Sequence, residues 1–129
     1  MAALSDYAEN LILNWLMKNT GSAPTTTHLA LFTAAPSDSG GGTEVSGNGY
    51  ARQAVTWDTA SGTGGTTSNS TAETFTASGG SFGTVTHIGI FDAATTGNLL
   101  WHGAMTSSKT VADGDSLQFA IGAIDLTIA

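Results

Sequence analysis

The chain has no cysteine, only two prolines and only three basic residues among its 129 positions. The absence of cysteine excludes disulfides, thiol nucleophiles and thiolate metal sites. Three basic side chains cannot neutralise several phosphates, so we expect no binding to nucleic acid or to an anionic membrane surface. Without disulfides, the stability of the protein must come from packing or from oligomerisation.

Long apolar runs are also missing from the sequence. No segment approaches the length that is needed to span a bilayer, so we expect no membrane insertion. Residues 1–19 carry acidic residues and no basic leader, which is unlike a signal peptide. We therefore expect the protein to be made in a cytoplasm.

Charged residues make up only 10% of the chain, and the formal net charge is −7. An ordinary soluble domain has about 25% charged residues. Glycine, serine and threonine fill the gap, and this mixture favours an all-β protein with many turns. The length predicts a single domain over 1–129, with an N-terminal helix in 1–20 and a β-sandwich in 25–129.

The first segment has the periodicity of an amphipathic helix, because its apolar residues recur at three- and four-residue spacing. Ser5 or Asp6 is expected to cap its start, and Gly21 offers a left-handed stop. Leu13 and Met17 widen the stripe beyond what one sheet face would cover. The helix is therefore expected to pack on the sandwich or on helices of neighbouring subunits. The stripe consists of Leu4, Tyr7, Ala8, Leu11, Ile12, Trp15 and Leu16.

After Pro24 the pattern changes to short strands that are separated by glycine-rich turns. This order predicts a mainly β fold, an antiparallel β-sandwich or jelly roll with a short N-terminal α-helix. Residues 93–97 are predicted to form a hairpin loop, and 60–71 an exposed loop. The predicted strands are 27–33, 50–57, 72–77, 84–92, 98–105, 109–111, 116–121 and 123–129.

The strand 84–92 carries apolar residues on both faces, and 98–105 does the same. In the first of them, Val85 and Phe91 are predicted to point away from Ile88 and Ile90. In a sheet with one solvent-exposed face, apolar and polar residues alternate along each strand. These strands do not alternate in this way, so both faces of the sheet are expected to be covered. One face is the core, and the other meets the N-terminal helix or another subunit, which favours an oligomer.

The three histidines are the main candidates for a metal site. If Phe91 pairs with Asn98 across the hairpin, His87 lies opposite His102 on one face. Zinc needs at least three protein ligands, and His28 would have to supply the third. We favour the alternative, in which these histidines are packed at a sheet or subunit interface.

No catalytic arrangement can be assigned from the sequence. There is no nucleophile elbow, and the glycine run 40–42 lacks the lysine and the strand–loop–helix setting of a phosphate loop. Asp113 and Asp115 indicate a hairpin turn rather than a calcium site. We expect no enzyme activity and no cofactor. Arg52 is expected to pair with a carboxylate of its own chain or of a neighbouring subunit.

Five motifs are distributed between residues 31 and 115: LFTAAP (31–36), GGTEVSGNGYAR (41–52), THIGIFDA (86–93), GNLLWHG (97–103) and GD (114–115). With the short N-terminal helix, this layout resembles a family of small structural proteins of tailed-bacteriophage virions. Members of that family are often labelled tail fibre proteins. The resemblance implies a structural protein of the virion.

Two roles within such a particle are open. The first hypothesis is a capsid decoration (cement) protein, a homo-oligomer and specifically a trimer, which binds the major capsid protein on the outer surface of the head. The alternative is a tail or tail-fibre-associated protein with a host-surface adhesion role, whose binding tips are the loops 37–49 and 60–71. The residues expected at an interface are Leu11, Trp15, Arg52, His87, Trp101 and His102.

Overall fold

The computed structural model describes residues 2–61 and 64–128. A short strand, β1 (Ala2–Leu4), leads into one helix, α1 (Asp6–Lys18), and the rest of the described chain forms strands and turns. The later strands are β2 (Thr27–Ala34), β3 (Thr43–Glu44), β4 (Gln53–Val55), β5 (Thr66–Ser68), β6 (Glu73–Thr76), β7 (Gly83–Phe91), β8 (Leu99–Val111), β9 (Ser116–Phe119) and β10 (Asp125–Thr127).

The strands form a sandwich-like arrangement. Strands β1, β8, β7, β2 and β3 lie side by side in one antiparallel sheet, and β4 also pairs with β2. Two separate ribbons, β5 with β10 and β6 with β9, supply the second layer. The predicted fold class, mainly β with a short N-terminal helix, is confirmed.

The core lies between the large sheet and the two ribbons. Leu29, Leu31 and Val85 of the sheet are fully buried, and they belong to the same apolar cluster as Phe75 and Leu117 of the β6–β9 ribbon. In that ribbon, buried and exposed residues alternate along both strands. This alternation is expected for strands that have one face on a core and the other in water.

Helix α1 begins at the predicted cap, because the Ser5 hydroxyl accepts a hydrogen bond from the Ala8 amide at 3.1 Å. It ends at Asn19, which takes the left-handed conformation at φ 52°, rather than at Gly21 as expected. Asparagine tolerates this conformation better than most residues. Among the described residues, no helix has the length and apolar character needed to cross a bilayer.

Several predicted boundaries are corrected by the pairing of the strands. The segment 2–4, which was included in the predicted helical segment 1–20 although it precedes the predicted cap, forms an edge strand against β8. The predicted strands 98–105 and 109–111 are parts of one 13-residue strand, β8. In β7, the register shifts between Val85 and His87. Such a bulge reverses the alternation of side chains, so Val85 joins Ile90 in the core, whereas the two were predicted on opposite faces.

Candidate functional site

The face of the large sheet that points away from the core carries a small aromatic cluster. The rings of Phe32 and Phe91 stack at a centroid distance of 6.1 Å. Beneath them lies Gly89, where an added Cβ would be 2.9 Å from Phe32 Cε1 and 3.0 Å from Leu99 Cδ1. The cluster can therefore form only because position 89 has no side chain.

Arg52 packs against this cluster, and its guanidinium group forms hydrogen bonds with two other parts of the chain. Its Nε and Nη2 atoms donate to the two carboxylate oxygens of Glu44, each at 2.8 Å. Its Nη1 donates to the carbonyl oxygens of Ala93 at 3.0 Å and Thr96 at 2.7 Å. The guanidinium carbon lies 3.6 Å from the centroid of the Phe91 ring. Arg52 thus ties β3 to the hairpin loop after β7, and its carboxylate partner is in its own chain.

Tyr50 completes this network from the other side of Glu44. Its hydroxyl donates to Glu44 Oε2 at 2.7 Å and accepts from the Leu31 amide at 3.1 Å. Burial alone would raise the pKa of Glu44, but hydrogen bonds from Arg52 and Tyr50 lower that pKa below its ordinary value. The hydrogen bond with Glu44 raises the pKa of Arg52. The pair is therefore charged at neutral pH.

The hairpin loop that Arg52 contacts is also stabilised by hydrogen bonds between the residues at its two ends. Asp92 accepts hydrogen bonds from the Asn98 amide at 2.7 Å and from Asn98 Nδ2 at 2.9 Å. Between them, Thr96 and Gly97 both have positive φ. Asp92 therefore stabilises the turn, and residues 93–97 form the hairpin loop that the sequence predicted.

Beside this network lies an open cleft of about 550 Å³, which we call the polar cleft. It is lined by the start of α1 at Asp6 and Tyr7, by the glycine-rich loop 38–42, by Arg52 and by the residues 96–99. The loop is fastened to the sheet by a contact of 2.7 Å between Asp38 Oδ1 and His102 Nε2. The glycine-rich stretch is thus a connection that covers part of the outer sheet face.

The histidines do not take the arrangement that was predicted for a metal site. The register shifts between Ile90 and Phe91, so His102 lies opposite Gly89, and His87 lies opposite Ala104 rather than His102. His87 Nδ1 instead contacts Thr86 Oγ1 at 2.8 Å. Within residues 2–61 and 64–128, no three His, Cys, Asp or Glu side chains are grouped closely enough to hold a metal ion.

A second candidate surface is apolar and lies where α1 meets β8. One groove of about 190 Å³ runs between the helix and β8, and a neighbouring groove of about 300 Å³ is lined by residues of β7, β8 and β10. Leu100 and Trp101 line both grooves, and no charged side chain lines either. We call this surface the tryptophan face; its main residues are Leu11, Trp15, Trp57, Leu100, Trp101 and Ile128.

The six residues predicted at an interface fall into two groups. Leu11, Trp15 and Trp101 lie together on the tryptophan face. Arg52 lines the polar cleft, and its side chain is only 8% exposed. His102 fastens the loop of that cleft and His87 is partly buried on β7, so the structure does not bring these two to the apolar surface.

Sequence reasoning missed three residues that shape these surfaces. They are Glu44 and Tyr50 in the network, and Ile128 on the tryptophan face. The available signal for the first two was the motif GGTEVSGNGYAR, which contains Glu44, Tyr50 and Arg52 together. For Ile128 the sequence carries no such signal, because this residue meets Trp57 and Trp101 only in the folded chain.

The chain was compared with known protein families and with curated proteins. No curated protein shows significant sequence similarity to it. Residues 3–127 match the profile of the family described as "Podophage GP4 fiber I protein gp80". The predicted resemblance to structural proteins of tailed phages is confirmed. The chain therefore belongs to the podophage GP4 fiber I protein gp80 family, whose members are phage virion components.

Proposed function

We propose that this chain is a structural subunit of a tail fibre, or of the tail region to which a fibre attaches. The observation that carries the proposal is the match to a fibre protein family over residues 3–127. It supports the second of the two roles considered from the sequence better than the first, which was decoration of the capsid. The protein is made in the cytoplasm of the host bacterium and incorporated during assembly.

The polar network fits a subunit that acts by contact rather than by catalysis. The hydrogen-bonding groups of Arg52, Glu44 and Tyr50 are directed at one another and at backbone atoms, not into the open cleft. A buried ion pair with these partners fixes the loops that surround it. We propose that this chain is a rigid, non-enzymatic subunit. Its partners are other tail proteins and further copies of itself.

The test is to locate the protein in purified virions. An antibody or a reconstruction of the particle is expected to find it at the tail, in a copy number that is set by the symmetry of the tail. Quantitative mass spectrometry, with the major capsid protein as internal standard, gives that number. A protein on the head in proportion to the capsid subunits would overturn the fibre proposal and support decoration.

A host-surface adhesion role is the second candidate, and the polar cleft favours it. Its rim presents Tyr7, which is 44% exposed, and the Asp38 side chain, which is 58% exposed. Ligand-binding clefts combine aromatic side chains with a small number of polar or charged groups, and the rim of the polar cleft offers both. The purified protein is then expected to bind host cells and to compete with infection, and Tyr7→Ala is expected to weaken both. Wild-type protein that does neither would overturn the adhesion role.

A further inference from the structure

Helix α1 carries two apolar stripes, and only one of them faces its own domain. Ala8, Leu11, Ile12 and Trp15 line the groove against β8. Three other large residues, at positions i, i+3 and i+4, lie on a different side of the helix and do not line that groove. They are Leu13, Leu16 and Met17, with exposed fractions of 58%, 58% and 74%. We call these three residues the outer stripe.

A helix with apolar residues on most of its circumference is normally buried on more than one side. Here only Ala8 of the whole helix is buried. The outer stripe has the spacing with which helices pack against one another. The outer stripe is exposed in a single copy of the chain. This exposure therefore indicates that another molecule packs against it.

The area of exposed apolar surface approaches that of a standard protein contact. The exposed parts of the outer stripe, together with those of Trp15 and Ile128, amount to roughly 600 Å², and a standard protein interface buries about 800 Å² on each partner. The partly exposed Leu11, Ile12 and Trp101 extend the same surface. The tryptophan face and the outer stripe together thus approach the size that a specific interface needs.

Electrostatics favours these apolar surfaces over the rest of the protein for a contact between two copies. The chain has a formal net charge of −7, so two copies that approach in most orientations bring acidic residues together. The residues that line the two apolar grooves include none with a charge, so this repulsion is weakest when the copies meet there. Tryptophan is also enriched among the residues that dominate interface energies.

We propose that the tryptophan face and the outer stripe bind a second copy of this chain. In that contact the outer stripe and Trp15 of one copy pack against the apolar surface of another, and the arrangement closes symmetrically. The proposal deepens the proposed function, because it names the partner of a fibre subunit. It assigns no interface role to Arg52, His87 or His102.

The experiment is light scattering and sedimentation of the purified chain over a range of concentrations, with Leu16→Glu as the test variant. Leu16 is already 58% exposed in a single copy, so a charge there costs the fold little, but it places a carboxylate in the proposed interface. The wild type is expected to be an oligomer, and Leu16→Glu to weaken association at least about 100-fold. Ile121→Glu is the matched control, because Ile121 is 68% exposed but lines neither groove.

Intrinsic fluorescence gives a second readout that needs no variant. All three tryptophans lie on the proposed interface, so acrylamide quenching of the wild type is expected to increase about twofold or more when dilution separates the copies. A wild type that is monomeric at high concentration, or a folded Leu16→Glu oligomer of unchanged affinity, would overturn the proposal. If Leu16→Glu fails to fold, Met17→Glu takes its place, and the dilution series decides without either variant.

These outcomes are separate from those that test the proposed function. A monomer in solution would overturn the self-association and leave the position of the protein in the virion unaffected. A protein found on the head would overturn the fibre role and leave the contact between copies intact.

Discussion

The polar cleft and the tryptophan face lie on the same small protein, and both carry aromatic side chains. In the cleft, Phe32 is buried, Phe91 is covered by Arg52, and the arginine donates four hydrogen bonds to groups of its own chain. On the tryptophan face, Trp15 remains 53% exposed, and no charged residue lines the grooves. The first surface is complete in one copy and stabilises the fold. The second surface is incomplete in one copy, which is the property of a contact surface.

The largest effect on stability is expected from Arg52→Ala. The change removes a bidentate ion pair, two hydrogen bonds to carbonyl groups and the contact with Phe91, and it leaves Glu44 half-buried without its charge partner. Removal of one member of a fully buried pair costs about 3–5 kcal/mol, and for this partly buried pair we expect a loss of about 3 kcal/mol, at the lower end of that range. Urea denaturation measures the loss. Lys18→Ala, at the exposed end of α1, is the control, and an equal loss in both variants would contradict the assigned role of Arg52.

A smaller loss is expected from Gly89→Ala, which tests the cluster beneath Arg52. The new methyl group would lie 2.9 Å from Phe32 and 3.0 Å from Leu99, so the rings must move. Overpacking of this kind costs about 1–3 kcal/mol. Association of the copies is expected to stay unchanged, because Gly89 lies beneath the aromatic cluster beside the polar cleft and not on the tryptophan face. Gly64→Ala, where the nearest atom is 3.5 Å away, is the control for the substitution itself.

The pH dependence of stability tests the charge on Glu44. Its pKa is lower in the folded protein than the ordinary value of 4.5, so its contribution is fully present above pH 4.5 and disappears as pH falls through the lowered pKa. Glu44→Gln cannot titrate. The difference in unfolding free energy between wild type and this variant is therefore expected to shrink below pH 4.5, and a difference that stays constant down to acid denaturation would refute this account.

The smallest effect is expected from Asp38→Asn, which weakens the contact between the loop 38–42 and His102. The Asp38 side chain is 58% exposed, so solvent screens its interaction. Exposed ion pairs contribute at most about 1 kcal/mol and many contribute less. A change of stability as large as that of Arg52→Ala would mean that the loop is part of the core structure rather than a cover.

Local signals in the sequence predicted local structure well. The apolar spacing of residues 4–16 identified α1, and the small and polar residues 93–97 identified the hairpin loop that Asp92 stabilises. The charge balance indicated that the isolated Arg52 would find a carboxylate. In each case the interacting residues are close in sequence, or one residue type is so rare that few pairings are possible.

Features that depend on distant strands could not be predicted. The bulge between Val85 and His87 and the shift at Phe91 decide which residues face the core, yet both arise from the pairing with β8. The segment Ala2–Leu4 has no strand signature of its own and becomes a strand only because β8 offers it an edge. Likewise, ten acidic residues were available to Arg52, and only the fold selects Glu44.

The attachment of β1 to β8 also means that the N-terminal segment of a newly synthesised chain can dock only after β8 has been made. Ser5, between β1 and α1, donates hydrogen bonds to the carbonyl oxygens of Leu99 and Leu100 in β8, which lie 94 and 95 positions later in the sequence. At about 5–20 residues per second, a ribosome leaves the helix without its docking site for roughly 5–20 s. During that interval the nascent helix is an exposed apolar segment that chaperones can bind. The surface shared by helix and β8 comes into existence only after β8 has been synthesised, so partly made chains cannot present it to one another.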